Sequence, residues 1–293
     1  PPPGVRYSVV RDDHASVPGA RALRLREILF NRLVHPSMSM LHGLRAYRVS
    51  DRFALVHVHN TCSWFGSGRR IPVVMTLGGG SYYHYLRDYE GWPPCRIDAL
   101  YARARRILPP LRIHNEFASW KGLRGIAVLS EFARGFLLRA GVPPALVRVI
   151  PPGLSTPPLP SREHGASTYR FLLVGRHPRR KGADLFVAAI RRLRSEGQRV
   201  EGVLVGDPSY AELAGEPGFE VLPWIDRERL YREVFPRADA LVHPARAEGY
   251  GLVVVEAMSF ALPVVVSDHG ALPDIVHDGR TGHVVPVDNL EAL

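Results

Sequence analysis

Short apolar runs alternate with stretches of helical period along most of this chain. In the first half, residues 5–10, 55–59, 73–77 and 125–129 read as strands, and residues 21–34, 96–108 and 131–140 read as helices between them. In the second half the run at 171–174 leads into Gly175, and the run at 202–206 ends in Gly206. Between them, Leu185, Phe186, Ala189, Ile190 and Leu193 fall on one face of a predicted helix at 183–193. Residues 221–226 then precede a helix at 227–234, and a strand follows at 240–242. A helix from about 252 to 261 follows, stopped by Pro263, and a strand at 263–266 comes next. Strands alternating with helices predict parallel sheets covered by helices, an α/β fold.

The rhythm breaks once. Proline and serine crowd residues 151–167, in P-P-G-L-S-T-P-P-L-P-S, and read as a linker. A chain of 293 residues is then two domains, 1–153 and 169–293, joined by residues 154–168. Open parallel sheets bind ligands beyond the carboxyl ends of their strands, so the chemistry belongs in the turns that follow the apolar runs.

Two of those turns have the composition of anion sites. After 171–174 comes G-R-H-P-R-R-K-G, with Gly175 at its start and Arg176 and Lys181 bracketing it before a helix. After 240–242 comes a polar turn with Gly249 and Gly251, and then the helix that opens at Leu252. The first N–H groups of a helix lack internal partners and favour negative charge, and glycines let a phosphate approach. Two carboxylates frame the second turn, Glu248 before it and Glu256 eight residues on. Carboxylates repel a diphosphate but accept hydrogen bonds from sugar or ribose hydroxyls. Glu248 also reads as a charge favoured by the helix dipole. Glu256 lies among Val253, Val254, Val255, Ala257 and Met258, so it is a buried charge that needs a partner or a ligand. A third glycine turn, Gly78 to Gly80 followed by S-Y-Y-H-Y, reads equally as an anion cradle or a plain bend.

The frame E-G-Y-G-L-V-V-V-E-A-M followed by A-L-P-V-V-V-S-D resembles the Glu-x7-Glu signature of retaining glycosyltransferase family 4. The G-R…K-G turn and the later P-D-I-V…G-R-T-G-H-V-V-P extend the likeness. The resemblance implies the GT-B fold, two Rossmann-like domains facing a cleft, here apparently shortened at both ends. It implies transfer of a sugar from a nucleoside-diphosphate sugar to an acceptor hydroxyl on a glycan, a lipid-linked carrier or a small molecule. Arg176, Lys181 and the helix start at Gly251 and Leu252 then stabilise the departing diphosphate, with Gly175 letting it approach. Glu256 holds the ribose, and Glu248 faces the donor sugar. Two motifs depart from the family: Thr76-Leu77-Gly78 stands where relatives carry Thr-x-His, leaving Tyr83 or His84 as substitutes. Pro152-Gly153-Leu154-Ser155 stands in place of Asn-Gly-x-Asp. A nucleotide-sugar 2-epimerase of the same fold and a non-catalytic nucleotide-sugar-binding module are the alternatives.

Composition narrows the partners. The net charge is +10, carried almost wholly by arginine, since Lys121 and Lys181 are the only lysines. Such a balance attracts anions in general, but no nucleic-acid motif accompanies it. Cys62 and Cys95 lack metal-ligand spacing, and no Asp-x-Asp pair occurs, so no metal or other cofactor is expected. Few cysteines and no visible leader point to the cytoplasm. Arg21, Arg24 and Arg32 share the 21–34 helix with Leu25, Ile28, Leu29 and Leu33, a face suited to peripheral contact with an anionic membrane or to packing on a sheet.

Overall fold

The computed structural model describes residues 55–59, 64–65, 72–77, 86–87, 91–107, 113–114, 123–154 and 168–293. The expected strand at 5–10, the basic helix at 21–34, the turn at 78–80 with Tyr83 and His84, and most of the linker lie outside the described residues.

The first half contributes β1 (Val56–His59), β2 (Trp64–Phe65), β3 (Val73–Leu77), α1 (Pro94–Ile107), β4 (Ile113–His114), β5 (Leu123–Val128), α2 (Glu131–Arg139) and β6 (Val147–Val149). Strands β1, β3, β5 and β6 form a parallel sheet in that order, and β2 pairs with β4 as a separate antiparallel ribbon. Helix α2 starts because the Ser130 hydroxyl accepts the Ala133 N–H at 3.1 Å. Its Ala133 and Leu137 then pack on Met75, Leu77, Ile126 and Val128 of the sheet.

The second half contributes β7 (Tyr169–Val174), α3 (Pro178–Lys181), α4 (Ala183–Ser195), β8 (Val200–Val205), β9 (Phe219–Leu222), α5 (Arg227–Arg229), β10 (Ala240–His243), α6 (Leu252–Ser259), β11 (Val264–Ser267), α7 (Leu272–Ile275) and β12 (His283–Val285). These strands form one parallel sheet in the order β12-β11-β10-β7-β8-β9. Side chains alternate across it: Leu172 faces a core with Val254, Phe260 and Phe235, while Leu173 faces one with Phe186, Ile190 and Leu204. A sheet covered on both faces explains why its strands read as unbroken apolar runs.

The chain winds outward from β7 through β8 to β9, then returns to the other side of β7 for β10, β11 and β12. The order reverses between β7 and β10, and a crevice opens at the carboxyl ends of strands on either side of such a reversal. The two turns singled out by composition leave β7 and β10.

Three elements near the second turn end or divide differently from the sequence pattern. The helix expected to reach 261 ends at Ser259, because Ala261 turns left-handed at φ 55° and sends its N–H to the Met258 carbonyl. The following strand starts at Val264, since Pro263 has no N–H for the ladder. The helix expected at 227–234 is one α-turn at Arg227–Arg229, a π-turn at Leu230–Val234 and a 3-10 turn at Phe235–Arg237. Pro236 cannot donate to a continuing ladder, and Tyr231 and Phe235 are drawn inward against Phe260.

Candidate functional site

The turn after β7 is shaped by contact with the turn after β10. Gly175 has φ 154°, and a Cβ there would lie 3.1 Å from Lys181 side-chain carbons. His177 is left-handed at φ 64°, and its N–H donates to Asp207 Oδ2 at 2.9 Å. Gly182 ends α3 at φ 70°, and a Cβ on it would meet the Pro244 carbonyl oxygen at 2.1 Å. Only glycine allows the two turns to approach so closely. Arg246 holds the same seam, with a two-pronged bond to Asp184 at 2.7 and 2.8 Å and a further bond to Asp288 at 2.5 Å.

This approach buries a three-membered charge cluster. Lys181 Nζ donates to Glu248 Oε2 at 2.5 Å, and His243 Nε2 lies 3.0 Å from the same oxygen. Burial alone would raise the Glu248 pKa, but the His243 hydrogen bond and the Lys181 charge outweigh it and hold the carboxyl well below its usual range. Burial, with Lys181 nearby, pushes His243 down, so its imidazole is neutral. An ionised carboxylate only accepts, which fixes His243 as the Nε2–H tautomer. Burial also pulls Lys181 below its ordinary value, opposed by Glu248. Two donors on one oxygen favour the ionised carboxylate.

Glu256 sits elsewhere on α6, with its side chain 6 % exposed. Arg227 Nε lies 2.9 Å from Glu256 Oε1, but the N–H is not aligned with it, so this buried oxygen has no hydrogen-bond partner among the described residues. The buried hydroxyl of Tyr231 lies beside the Glu256 carboxyl and lowers its pKa, but is not aligned for a well-formed hydrogen bond. Burial drives the Glu256 pKa up, only partly offset by the Arg227 charge and the Tyr231 hydroxyl. Burial first, and the Glu256 charge second, push Tyr231 up to about 12. A buried, unsatisfied carboxylate oxygen is costly, and a ligand hydroxyl would relieve it.

The remaining sequence-predicted positions fall around these groups. Gly251 is left-handed at φ 100° and precedes α6, where a Cβ would approach Leu272 Cδ2 at 3.0 Å and Glu248 Cγ at 3.6 Å. Leu252 opens the helix and is 41 % exposed, which suits a position lining an open cleft. Arg176 is exposed on the turn after β7. The structure thus joins Lys181 to Glu248 directly, sets Gly175 and Gly251 against that pair, and leaves Glu256 with Arg227 and Tyr231.

The first sheet reaches this loop through Ser130 at the exit of β5. Its hydroxyl donates to the Gly249 carbonyl at 3.2 Å, and the Phe132 N–H donates to Asp274 Oδ2 at 3.0 Å. Sequence reasoning missed Ser130, His243, Arg227 and Tyr231. The signal for His243 was present, a polar residue closing an apolar strand five residues before Glu248; for Arg227 and Tyr231 there was none. Among the described residues no three His, Cys, Asp or Glu side chains gather as metal ligands.

The family profile described as Glycosyltransferase Family 4 matches residues 4–156, just over half of the chain, and that described as Glycosyl transferases group 1 matches residues 168–293. The chain is 34 % identical over 190 residues to alpha-maltose-1-phosphate synthase of Mycobacterium tuberculosis, covering 56 % of this chain and 48 % of the relative. It is 34 % identical over 170 residues to D-inositol 3-phosphate glycosyltransferase of Mycobacteroides abscessus, covering 50 % and 37 %. It therefore spans about half or less of the length of these curated relatives. Sucrose-phosphate synthase from Thermosynechococcus elongatus has a similar fold, with a TM-score of 0.62, 18 % identity and coverage of 98 % of this chain and 73 % of that one. The Anabaena HepE structure in complex with UDP and glucose gives 0.54 at 20 % identity, covering 76 % and 60 %.

Proposed function

The chain belongs to glycosyltransferase family 4, and on that premise we propose that it moves a sugar from a nucleoside-diphosphate sugar to an acceptor hydroxyl with retained anomeric configuration. The observation that carries this reading is the buried pair of glutamates eight residues apart at the strand-order reversal. Glu248 is held ionised by Lys181 and His243, and Glu256 keeps an oxygen without a hydrogen bond.

Each group has a role set by its surroundings. Glu256 accepts from the ribose hydroxyls, which satisfies its buried oxygen. Glu248 faces the donor sugar and the positive charge that develops at its anomeric carbon. Arg176, the remaining hydrogens of Lys181 and the start of α6 at Gly251 and Leu252 oppose the charge growing on the diphosphate, where electrostatic stabilisation contributes most. The anomeric C–O bond to the diphosphate breaks, the acceptor oxygen bonds to the same face of that carbon, and the acceptor proton passes to the departing phosphate oxygen. We read the positive charge as coming from the protein and the reaction as metal-independent, because the sequence has no Asp-x-Asp pair to hold a cation. The acceptor side belongs to the first sheet, which meets the Glu248 loop at Ser130.

A thermal-shift panel with UDP, GDP, ADP, TDP and CDP tests the reading, with UDP first because of the HepE complexes. A diphosphate at about a hundred times its dissociation constant stabilises by roughly 2.7 kcal/mol, a shift of several degrees at about 2–4 °C per kcal/mol. We expect one base to shift the melt and Arg176→Ala to abolish the shift. Lys181→Ala should also abolish it, while lowering the ligand-free melt because it strands Glu248. No shift with any of the five defeats the reading.

A further inference from the structure

We propose that His243 is a positioning residue for the donor sugar: its Nε2–H pins the Glu248 carboxylate by one oxygen, so that the other is presented to a sugar hydroxyl. The inference rests on the glycosyltransferase reading and deepens it.

Both protein donors take the same Glu248 oxygen. Lys181 Nζ and His243 Nε2 lie 2.5 and 3.0 Å from Oε2, and Oε1 accepts no hydrogen bond from the described residues. Unlike Glu256 Oε1, it is also not a fully enclosed unpaired atom. A carboxylate held at one oxygen by a single lysine could still swing about that contact. A second donor from a different element removes the swing, because His243 sits at the end of β10 and Lys181 at the end of α3.

His243 also carries a penalty that packing does not explain. Its side chain is fully buried, and the tautomer that donates from Nε2 leaves Nδ1 as an acceptor with no partner among the described residues. The rest of β10, from Ala240 to Val242, is apolar and buried. An apolar side chain at 243 would continue that strand with no orphaned nitrogen, so the imidazole is kept at a cost to the fold. Its one bond is to Glu248, which makes that bond the reason for its presence.

The test compares His243→Gln with His243→Asn in the full chain. Glutamine places an amide N–H near the position of Nε2, whereas asparagine reaches only as far as Nδ1. Both are polar, so a role in packing alone would move them together. Titration calorimetry would give the dissociation constants for UDP and UDP-glucose, or for whichever diphosphate the panel selects and its glucose conjugate.

We expect wild-type protein to bind the nucleotide sugar more tightly than the diphosphate. His243→Asn should weaken nucleotide-sugar binding by about tenfold, the scale of one hydrogen bond, with diphosphate binding within about twofold of wild type. His243→Gln should restore most of the loss, and Glu248→Gln should match His243→Asn. Equal losses in the two His243 variants, or a diphosphate loss as large as the nucleotide-sugar loss, overturn the proposal. So does a wild-type protein that does not distinguish the two ligands. If wild-type protein binds no diphosphate, the glycosyltransferase reading falls first and this proposal with it.

Discussion

Glu256 shows how a single residue can serve binding at the expense of the ligand-free fold. Its pKa is raised by burial, so the folded state favours the neutral acid. The resulting destabilisation is absent in acid, sets in as pH rises through the ordinary carboxyl value of 4.5, and is complete above the raised value. Glu256→Gln should therefore raise the ligand-free melting temperature at pH 7 by a few degrees, on the order of 1 kcal/mol for one relieved buried group. The gain should vanish below about pH 4.5, while diphosphate affinity at pH 7 falls by roughly tenfold or more. Differential scanning calorimetry across pH, with calorimetric titration, checks both. Losing the Arg227 contact matters little, since that guanidinium is 61 % exposed. The carboxylate itself was legible in the sequence because apolar neighbours on every side marked it as buried. Its partners were not, because Arg227 and Tyr231 come from another element and pair with it only through tertiary packing.

At the scale of elements, the period of apolar residues located β7, β8, β10 and β11 of the second sheet but not β9 or β12, the latter reading only as part of the P-D-I-V…V-V-P frame. What it could not give is how each element ends, since that depends on contacts made in the fold. Ala261 ends α6 early by turning left-handed, and the helix at 227–234 divides into three geometries because Phe235 and Tyr231 dock on Phe260. Gly182 and Gly197 separate two reasons for a glycine at an element's end. Both have positive φ, 70° and 83°, but a Cβ on Gly197 meets nothing within 4 Å, whereas one on Gly182 strikes the Pro244 carbonyl. Gly197→Ala should cost about 1–2 kcal/mol from backbone strain alone, and Gly182→Ala distinctly more; urea denaturation of the pair isolates the difference. Ser130→Ala should lose about 1 kcal/mol through the cap of α2, read in the same experiment. It should also free the Gly249 carbonyl from its bond to the first half of the molecule.

Across the whole molecule, the crevice follows from topology rather than from any one motif. The Glu-x7-Glu frame and the basic turn lie 60 or more residues apart in sequence, and become neighbours only because β10 returns to pair with β7. The sequence marked both turns as anion sites separately; their union into one Lys181–Glu248 pair needed the sheet order. The +10 net charge acts at this scale too. Diphosphate affinity should fall several-fold between low salt and about 0.5 M, as the screening length drops well below about 10 Å. Titration at the two ionic strengths reads the loss directly. The contact between Gly182 and Pro244 has a different consequence, for how such a protein diversifies. With no room for one extra carbon between them, neither turn can lengthen or change shape unless the other yields in step. Variants with altered tastes would then arise far more readily by remodelling the opposite wall of the cleft than by tinkering with this interlocked pair.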